Sequence, residues 1–451
     1  MTPNTDIEHD LDYITALRQI WERSDYDRGF ISNPFAGDDT ARLGLKRTAA
    51  VLDRLGKPHS TYQVVHVAGS KGKGSTCAFT RSILTAAGRR TGLFSSPHLH
   101  SYRERIAVDG EPISESVFAI GWARALAAAE SFERDRPEVG RVTSFELLTA
   151  MALDQFATAG CDAAVVEVGL GGTLDATNVI SPDSTAITAL DYEHTRVLGS
   201  TMAEIAANKV GIVKPGIPLA TARLPEGAIH VVADAVQRAG APWLRADVDW
   251  TWEGSWRTFN AIGPWGTFNG LKSGLIGAHQ IDNACLAIAA VWQMMGNALA
   301  EEAIRNGLSS TAWPGRFEIA RDDPTLVLDG AHTPSAAEVL ARAYAAEYPA
   351  LRCAILLGIL RDKDPVPIAE ALLPVASEIV AVTPPSPRGL SAAELAAALD
   401  SLPVPVKVIP DVAEALSEVR ERPAIVTGSL TTVAAAREAI GLATPDPAFL
   451  P

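Results

Sequence analysis

The chain has 451 residues, 47% of them hydrophobic and 20% charged, enough for a large apolar core and two or three domains. Its formal net charge of −14 argues against a nucleic-acid or anionic-membrane partner, since either is met by an excess of Lys and Arg. Four cysteines without a CxxC pair, an acidic amino terminus (Asp6, Glu8, Asp10, Asp12) and apolar runs too short for a bilayer predict a reduced, cytoplasmic protein with no signal peptide or membrane span.

The first informative segment is VVHVAGSKGKGSTCAFTRSIL, Val64–Leu84. Apolar Val64–Val67 predicts a strand and Ser75–Ala87 a helix, with Gly69-Ser70-Lys71-Gly72-Lys73-Gly74-Ser75 between them. Glycines admit positive φ and bring backbone N–H groups close to an anion, and the helix start adds its positive dipole end. Lys73 can reach a β- or γ-phosphate, and Ser75 offers a hydroxyl to Mg²⁺. Gly69 and Gly72 are closer than the first two glycines of GxxxxGK[ST], so a lysine-rich surface turn is the alternative; the strand and helix on either side favour a phosphate loop.

Further along, Ala163–Val168 and Ser184–Leu190 predict strands and Met202–Val210 a helix, an alternation that implies a mostly parallel, doubly wound α/β sheet. Trp250–Gly274, rich in Trp and Gly, predicts a hairpin excursion. After a helix over Gln280–Met295 comes Thr311-Ala312-Trp313-Pro314-Gly315, where a boundary is placed: a P-loop-type, mostly parallel sheet domain over 1–312, then a smaller Rossmann-like α/β domain over 313–451. The second βα series is predicted at Thr325–Leu328, Ser335–Tyr344, Cys353–Leu357, Pro367–Leu372, Glu378–Val382, Ala392–Leu399, Ala424–Thr427 and Val433–Ala439.

Ligands of open α/β sheets collect at strand ends, and the remaining polar residues of interest lie there. In VVEVGLGGTLDATN, Val165–Asn178, a strand delivers Glu167 into a glycine-rich loop ending at Asp175 and Asn178. A carboxylate there suits Mg²⁺ on a triphosphate, and an ordinary strand-end acid is the alternative. In ALDYEHTRVLG, Ala189–Gly199, a second strand ends close to His194, and Lys209 follows late in a helix. Singly, such a His is a structural residue and such a Lys a solvated charge; with Ser75 and Glu167 they are candidates for a two-metal phosphoryl site.

These segments, taken together with others in the same order, resemble the folylpolyglutamate synthase/dihydrofolate synthase family of the Mur ligase superfamily. The resemblance is carried by HVAGSKGKGST (66–76), SSPHL and ERI (95–99, 104–106), SFELLTAMAL (144–153), EVGLGGTLDATN (167–178), HTRVLG and NKVGIVK (194–199, 208–214), HQIDNA (279–284), PGRFE (314–318), LDGAHTP (328–334) and RDKD (361–364). It implies ATP-dependent addition of L-glutamate to a reduced folate through an acyl phosphate, with dihydropteroate as a second acceptor left open. It also implies ATP contacts from Gly72, Lys73, Gly74, Ser75, Asn283, Arg316 and Asp329, and Mg²⁺, as one ion or two, on Ser75, Glu167 and His194. Lys209 stands where the family carries a carbamylated lysine, a further metal ligand, and K⁺ is an additional candidate ion. Lys73, Lys209 and His332 are the catalytic candidates, His332 being equally readable as a structural loop histidine. The pterin side falls on Leu43, Gly44, Leu45, Ser144, Phe145, Glu146, Leu174, Asp175 and Ala176, with Asp175 hydrogen-bonding the ring. A monomer acting on small molecules, without nucleic acid or membrane, completes the expectation.

Several positions depart from the family pattern: Lys71 for Asn, Thr173 for the arginine of GGRLDATN, Glu193 for Asp, Asn208 for Glu and Thr333 for Asn. Thr173 removes a cation from the expected substrate carboxylate, so the departures bear on the acceptor more than on ATP. Two rival readings remain: a Mur-type ligase acting on another carboxylate, and a P-loop ATPase or kinase without a ligase step. The second leaves everything after Trp313 unexplained.

Overall fold

The computed structural model describes residues 12–24, 38–442 and 446; Asp6, Glu8 and Asp10 of the acidic amino terminus lie outside these. Eight strands build the first sheet: β1 (Gln63–Ala68), β2 (Thr91–Phe94), β3 (Ile106–Val108), β4 (Glu111–Pro112), β5 (Ala163–Glu167), β6 (Ser184–Ile187), β7 (Leu219–Thr221) and β8 (Trp243–Arg245). Their order is β4-β3-β2-β5-β1-β6-β7-β8, parallel except for the β2-β3-β4 edge. β1 is central and, His66 apart, reads as an apolar run from Val64 to Ala68 because both of its faces are covered. Val65 and Val67 pack with the helices Lys73–Ala86 and Ala278–Met295, while Val64 joins the layer of Tyr13–Glu22, Asp38–Arg54, Glu115–Asp135 and Ser144–Thr158.

Register decides what meets what at the carboxyl edge of this sheet. Val67 of β1 pairs with Glu167 of β5, and Ala68 with Ile187 of β6, so the loops after three adjacent strands leave from one line. The connection reverses direction around β1, which opens the crevice where ligands bind in doubly wound sheets.

The expected hairpin excursion is a three-stranded antiparallel sheet, β9 (Thr251–Ser255), β10 (Thr258–Gly263) and β11 (Gly266–Leu271), whose Phe259, Ala261 and Leu271 pack with Ile281 and Leu286 of the helix Ala278–Met295. A third sheet follows: β12 (Glu318–Asp322), β13 (Thr325–Leu328), β14 (Cys353–Leu357), β15 (Ala376–Ala381), β16 (Val406–Val408) and β17 (Ala424–Thr427), in the order β12-β13-β17-β14-β15-β16. Its four buried strands match the predicted runs. The sequence missed β12, an antiparallel edge strand, and β16, which is short with two of its three residues exposed.

Two boundaries moved for local reasons. The strand predicted to Leu190 ends at Ile187, because the chain turns to let the Ala189 carbonyl accept from the Ser70 and Lys71 amides at 2.9 and 3.0 Å. The helix predicted from Ser75 begins at Lys73, after Gly72 takes a φ of 87°. Among the described residues no helix is long and apolar enough to cross a membrane.

Candidate active site

The loop Gly69–Ser75 is clamped on three sides. A Cβ on Gly69 would stand 1.8 Å from Oγ1 of Thr188, and one on Gly72 2.4 Å from Oδ1 of Asn283, so only glycine fits either place. At Gly74 the indole of Trp313 approaches to 3.1 Å from the position a Cβ would take. Lys73 turns its Nζ back over the loop, 3.2 Å from the Gly69 carbonyl oxygen. Lys71 reaches the other way and pairs with Glu193 at 2.9 Å. Against its burial, Lys71 and Lys73 hold the Glu193 carboxyl down to about 2, so Glu193 stays ionised. Thus the two departures from the family pattern, Lys71 and Glu193, neutralise each other.

Glu167 is 4% exposed at the end of β5, and its Oε2 accepts from the Ser96 amide at 3.2 Å. Burial pushes its carboxyl up to about 7, opposed by Lys73, the Ser96 amide and Arg316. Ser75 is also buried, in the first turn of the helix Lys73–Ala86. Lys209, the last residue of the helix Met202–Lys209, is 4% exposed and donates from Nζ to the Gly69 carbonyl oxygen at 2.7 Å. That burial rules out the solvated-lysine reading. Desolvation and the neighbouring Lys73 bring its ammonium down to about 7, with Glu193 opposing. His194 takes a left-handed φ of 52° ahead of the short helix Thr195–Leu198. Desolvation, Lys363, Lys73 and Lys209 hold its ring below the ordinary histidine value, against Glu193.

Among the described residues no three His, Cys, Asp or Glu side chains converge as a ready metal cluster. A buried carboxylate at Glu167 that keeps a raised pKa beside a buried hydroxyl-bearing loop nevertheless fits a hard divalent cation, which supplies the charge the protein leaves wanting. Lys209 as an ammonium does not fit such an ion; as a carbamate it does.

The second α/β unit adds residues from its first loops. Arg316 donates to the Gly315 carbonyl at 3.0 Å, lies against Gly330, and its charge bears on both Glu167 and Asp329. Asp329, after β13, accepts from the Phe317 and Ala331 amides, each at 2.8 Å. Asn283 donates to Gln280 at 3.0 Å and takes a 3.4 Å contact from the Thr76 hydroxyl. His332 lies with Nδ1 2.8 Å from the Gly330 carbonyl and Nε2 4.0 Å from Glu193, and burial pushes its ring down to about 4. Thr333 caps the helix Pro334–Glu347 through the Ala336 amide at 3.4 Å, a duty that Asn performs equally well. A cavity of about 300 Å³ opens beside Trp313 and Arg316, lined among others by Leu275, Pro314, Phe317, Glu318 and Ile319.

The residues expected on the pterin side converge from three segments. A Cβ on Gly44 would meet Glu146 Oε1 at 2.9 Å, and one on Gly169 would meet the Phe145 ring at 2.5 Å. Glu146 is already engaged: Arg47 grips it through two hydrogen bonds of 2.8 and 2.7 Å, and it closes the capping box of the helix Ser144–Thr158. Asp175 is likewise occupied, accepting from the amides of Leu170 and Thr177 at 2.8 and 3.0 Å and from the Thr177 hydroxyl at 2.5 Å. Ser144 shares a 2.7 Å hydrogen bond with Ser24, while Leu43, Leu45 and Leu174 remain partly open and Ala176 is buried. Thr173 donates from its hydroxyl to the Asn208 carbonyl at 2.9 Å, tying the glycine-rich loop to the residue before Lys209.

Against known families, residues 67–291 match the Mur ligase middle domain and residues 315–430 the Mur ligase glutamate ligase domain. The chain is 37% identical to the dihydrofolate synthase/folylpolyglutamate synthase of Bacillus subtilis over 71% of its own length and 76% of that protein's. This chain belongs to the folylpolyglutamate synthase/dihydrofolate synthase family. It is accordingly an ATP-dependent ligase. A probable bifunctional folylpolyglutamate synthase/dihydropteroate synthase of Halobacterium salinarum is 38% identical over 87% of this chain, which spans only 49% of that longer protein. The structure superposes on the Mycobacterium tuberculosis folylpolyglutamate synthase complexed with ADP and AMPPCP with a TM-score of 0.86, at 32% identity over 95% of this chain and 99% of that one.

Within this ligase fold, Lys73 of the phosphate loop bears on both Glu167 and Lys209, and Arg316 bears on Glu167 from the second unit. Sequence reading missed Asp191 and Ser335, which hydrogen-bond across the two units at 2.6 Å, and the Arg47 partner of Glu146. The only signal for either was adjacency to a motif already singled out.

Proposed function

We propose that this ligase joins the amine of L-glutamate to a carboxylate of a reduced folate, with the chemistry at the phosphate loop where the two α/β units meet. The observation that carries the reading is that buried Lys209 binds the Gly69 carbonyl of the phosphate loop while Lys73 of that loop and Arg316 of the second unit both bear on buried Glu167. The division between the units is placed at Trp313, between β11 and β12.

A carboxylate is a poor acylating agent, so the γ-phosphoryl group of ATP is first transferred to a carboxylate oxygen and ADP leaves. The glutamate amine then attacks the acyl carbon, the carbon–oxygen bond to phosphate breaks, and the amine gives up its proton. Lys73 and Arg316 stabilise charge gathering on the transferring phosphoryl oxygens, and the loop amides orient them. Ser75, Glu167 and His194 would hold Mg²⁺, joined by a carbamylated Lys209; bound magnesium neutralises phosphate charge. K⁺ enters this reading through family resemblance alone. The 300 Å³ cavity beside Trp313 is assigned to the purine: Leu275, Trp313, Phe317 and Ile319 give it apolar surface beside the charged Arg316 and Glu318, and Trp313 links it to Gly74 of the phosphate loop. Leu43–Leu45, Phe145 and Leu174 would present the apolar floor to the pterin, with Glu146 and Asp175 fixing that floor from behind.

All of these groups come from one chain, so a monomer suffices. The four buried free cysteines suit a reducing cytoplasm. The test is phosphate release and product mass with tetrahydrofolate, dihydropteroate and L-glutamate offered singly and in pairs. Amide formed only when a pterin acceptor and glutamate are both present supports the reading, and the acceptor that works separates the two folate activities. Phosphate release with no acceptor points to a plain ATPase, and silence on both pterins to a ligase for another carboxylate.

A further inference from the structure

We infer that Asp191 and Ser335 are a positioning pair that latches the second α/β unit onto the phosphate loop during ligation. Ser335 Oγ donates to Asp191 Oδ2 at 2.6 Å. Asp191 is fixed on its own side, since its Oδ1 accepts from the Tyr192 amide at 2.7 Å and its carbonyl oxygen accepts from the Ser70 hydroxyl at 3.0 Å. One residue therefore ties the phosphate loop, the loop that carries Glu193 and His194, and the second unit.

Ser335 sits in the first turn of the helix Pro334–Glu347, directly after the loop that holds Asp329 and His332. Whatever seats this end of the helix also seats those two residues. The far end is fastened separately: Glu347 accepts from the Trp256 indole at 3.2 Å and from Arg257 at 2.7 Å, and Arg257 lies over the Trp256 ring at 5.9 Å. Trp256 and Arg257 belong to the turn between β9 and β10. The helix is thus held at both ends by the first unit, with a pivot at Glu347 and a latch at Ser335.

An acyl phosphate must meet the amine before it meets water, and closure of the units accomplishes that. A latch made by a neutral hydroxyl and a carboxylate can form and release within each turnover. Loss of one such hydrogen bond removes none of the ATP contacts named above while lowering the fraction of time the site is complete.

The inference rests on the ligase reading, and wild-type ligation in the same assay keeps the two separable: no amide from the wild type refutes that reading, whereas a normal wild type with indifferent variants refutes only the pair. Ser335→Ala, Asp191→Ala, their double variant and Asp191→Asn are compared for kcat, KM for ATP, phosphate released per amide formed, and thermal midpoint. Expected are a fall in kcat of about tenfold in each alanine variant, the scale of one charge-assisted hydrogen bond, with a double variant no worse than either single one. Phosphate per amide rises above the wild-type value, and Asp191→Asn, which still accepts from Ser335, recovers most of the activity. The pair is overturned if Ser335→Ala leaves kcat and the phosphate ratio at wild-type values, if the two single losses multiply, or if the losses follow a lowered thermal midpoint. Should Asp191→Ala fail to fold, Ser335→Ala decides alone, since it removes one hydroxyl from a partly exposed turn.

Discussion

Lys209 donates from Nζ to the carbonyl oxygen of Gly69 at 2.7 Å, joining the end of one helix to the first glycine of the phosphate loop. Desolvation and Lys73 hold this ammonium down to about 7. A neutral amine attacks CO₂ and an ammonium does not, so the group becomes competent for carbamylation as pH rises through that value. We predict a carbamate carbon signal from ¹³CO₂-equilibrated enzyme that grows between about pH 6 and pH 8 and is missing in Lys209→Ala. That variant should lose ligation and regain part of it with short-chain carboxylic acids. Full activity in the alanine variant, with no carbamate signal in the wild type, removes the carbamate from the mechanism.

Lys73→Ala should keep the fold and lose the reaction. The side chain is partly exposed and its described hydrogen bond is to a carbonyl of its own loop, so little packing goes with it. Its charge is what matters, on the transferring phosphoryl group; kcat should fall on the order of 10²- to 10³-fold. A second consequence follows at Glu167, whose raised carboxyl loses its main opposing cation and rises further. An unchanged turnover number with an unchanged thermal midpoint would sink the phosphate-loop assignment.

Much of this was legible in the sequence because buried parallel strands write themselves as unbroken apolar runs: Cys353–Leu357 and Ala424–Thr427 are read at their observed limits. The phosphate loop was legible because positive φ and close approach leave only glycine. The helix Ser144–Thr158 showed no clear stripe, since eleven of its fifteen residues are buried and no polar face remains to give a period. Strand order could not be read, and it is order that sets Val67 beside Glu167. Pairings over long separations were invisible for the same reason: Lys71 with Glu193, Arg47 with Glu146, Asp191 with Ser335. Glu146 and Asp175 were read as substrate ligands from their motifs, and the structure shows both held by partners of their own. A sequence names the acid without showing which donors have already reached it.

Arg316→Lys tests whether the second unit contributes geometry or only charge. The guanidinium is held by the Gly315 carbonyl and packs against Gly330, where a Cβ would come within 2.8 Å of Nη1. A lysine keeps the charge but cannot present two donors in a plane. We predict a loss in kcat of about tenfold, with KM for the folate little changed, because the interaction belongs to the phosphoryl transition state rather than to acceptor binding. Wild-type kcat in the lysine variant would assign Arg316 to charge balance with Glu167 and Asp329.

His66 gives the pH dependence of stability a specific source. It is fully buried in β1, its Nε2 2.9 Å from the Thr177 hydroxyl, and that hydroxyl donates onward to Asp175. The Thr177 proton is committed to Asp175, so His66 donates from Nε2–H and stays neutral. Burial, helped by the charge of Lys214, depresses its ring to about 3. The unfolded chain binds this proton near 6.5, so between that value and about 3 the unfolded state holds more protons than the folded one. Stability supplied by neutral His66 is therefore complete above pH 6.5 and drains away as the pH falls through that window, by several kcal/mol, at about 1.4 kcal/mol per pH unit. His66→Gln keeps a donor to Thr177 and cannot titrate, so its urea midpoint should fall less steeply from pH 6.5 to pH 4 than that of the wild type. Parallel slopes for the two proteins would place the acid sensitivity elsewhere.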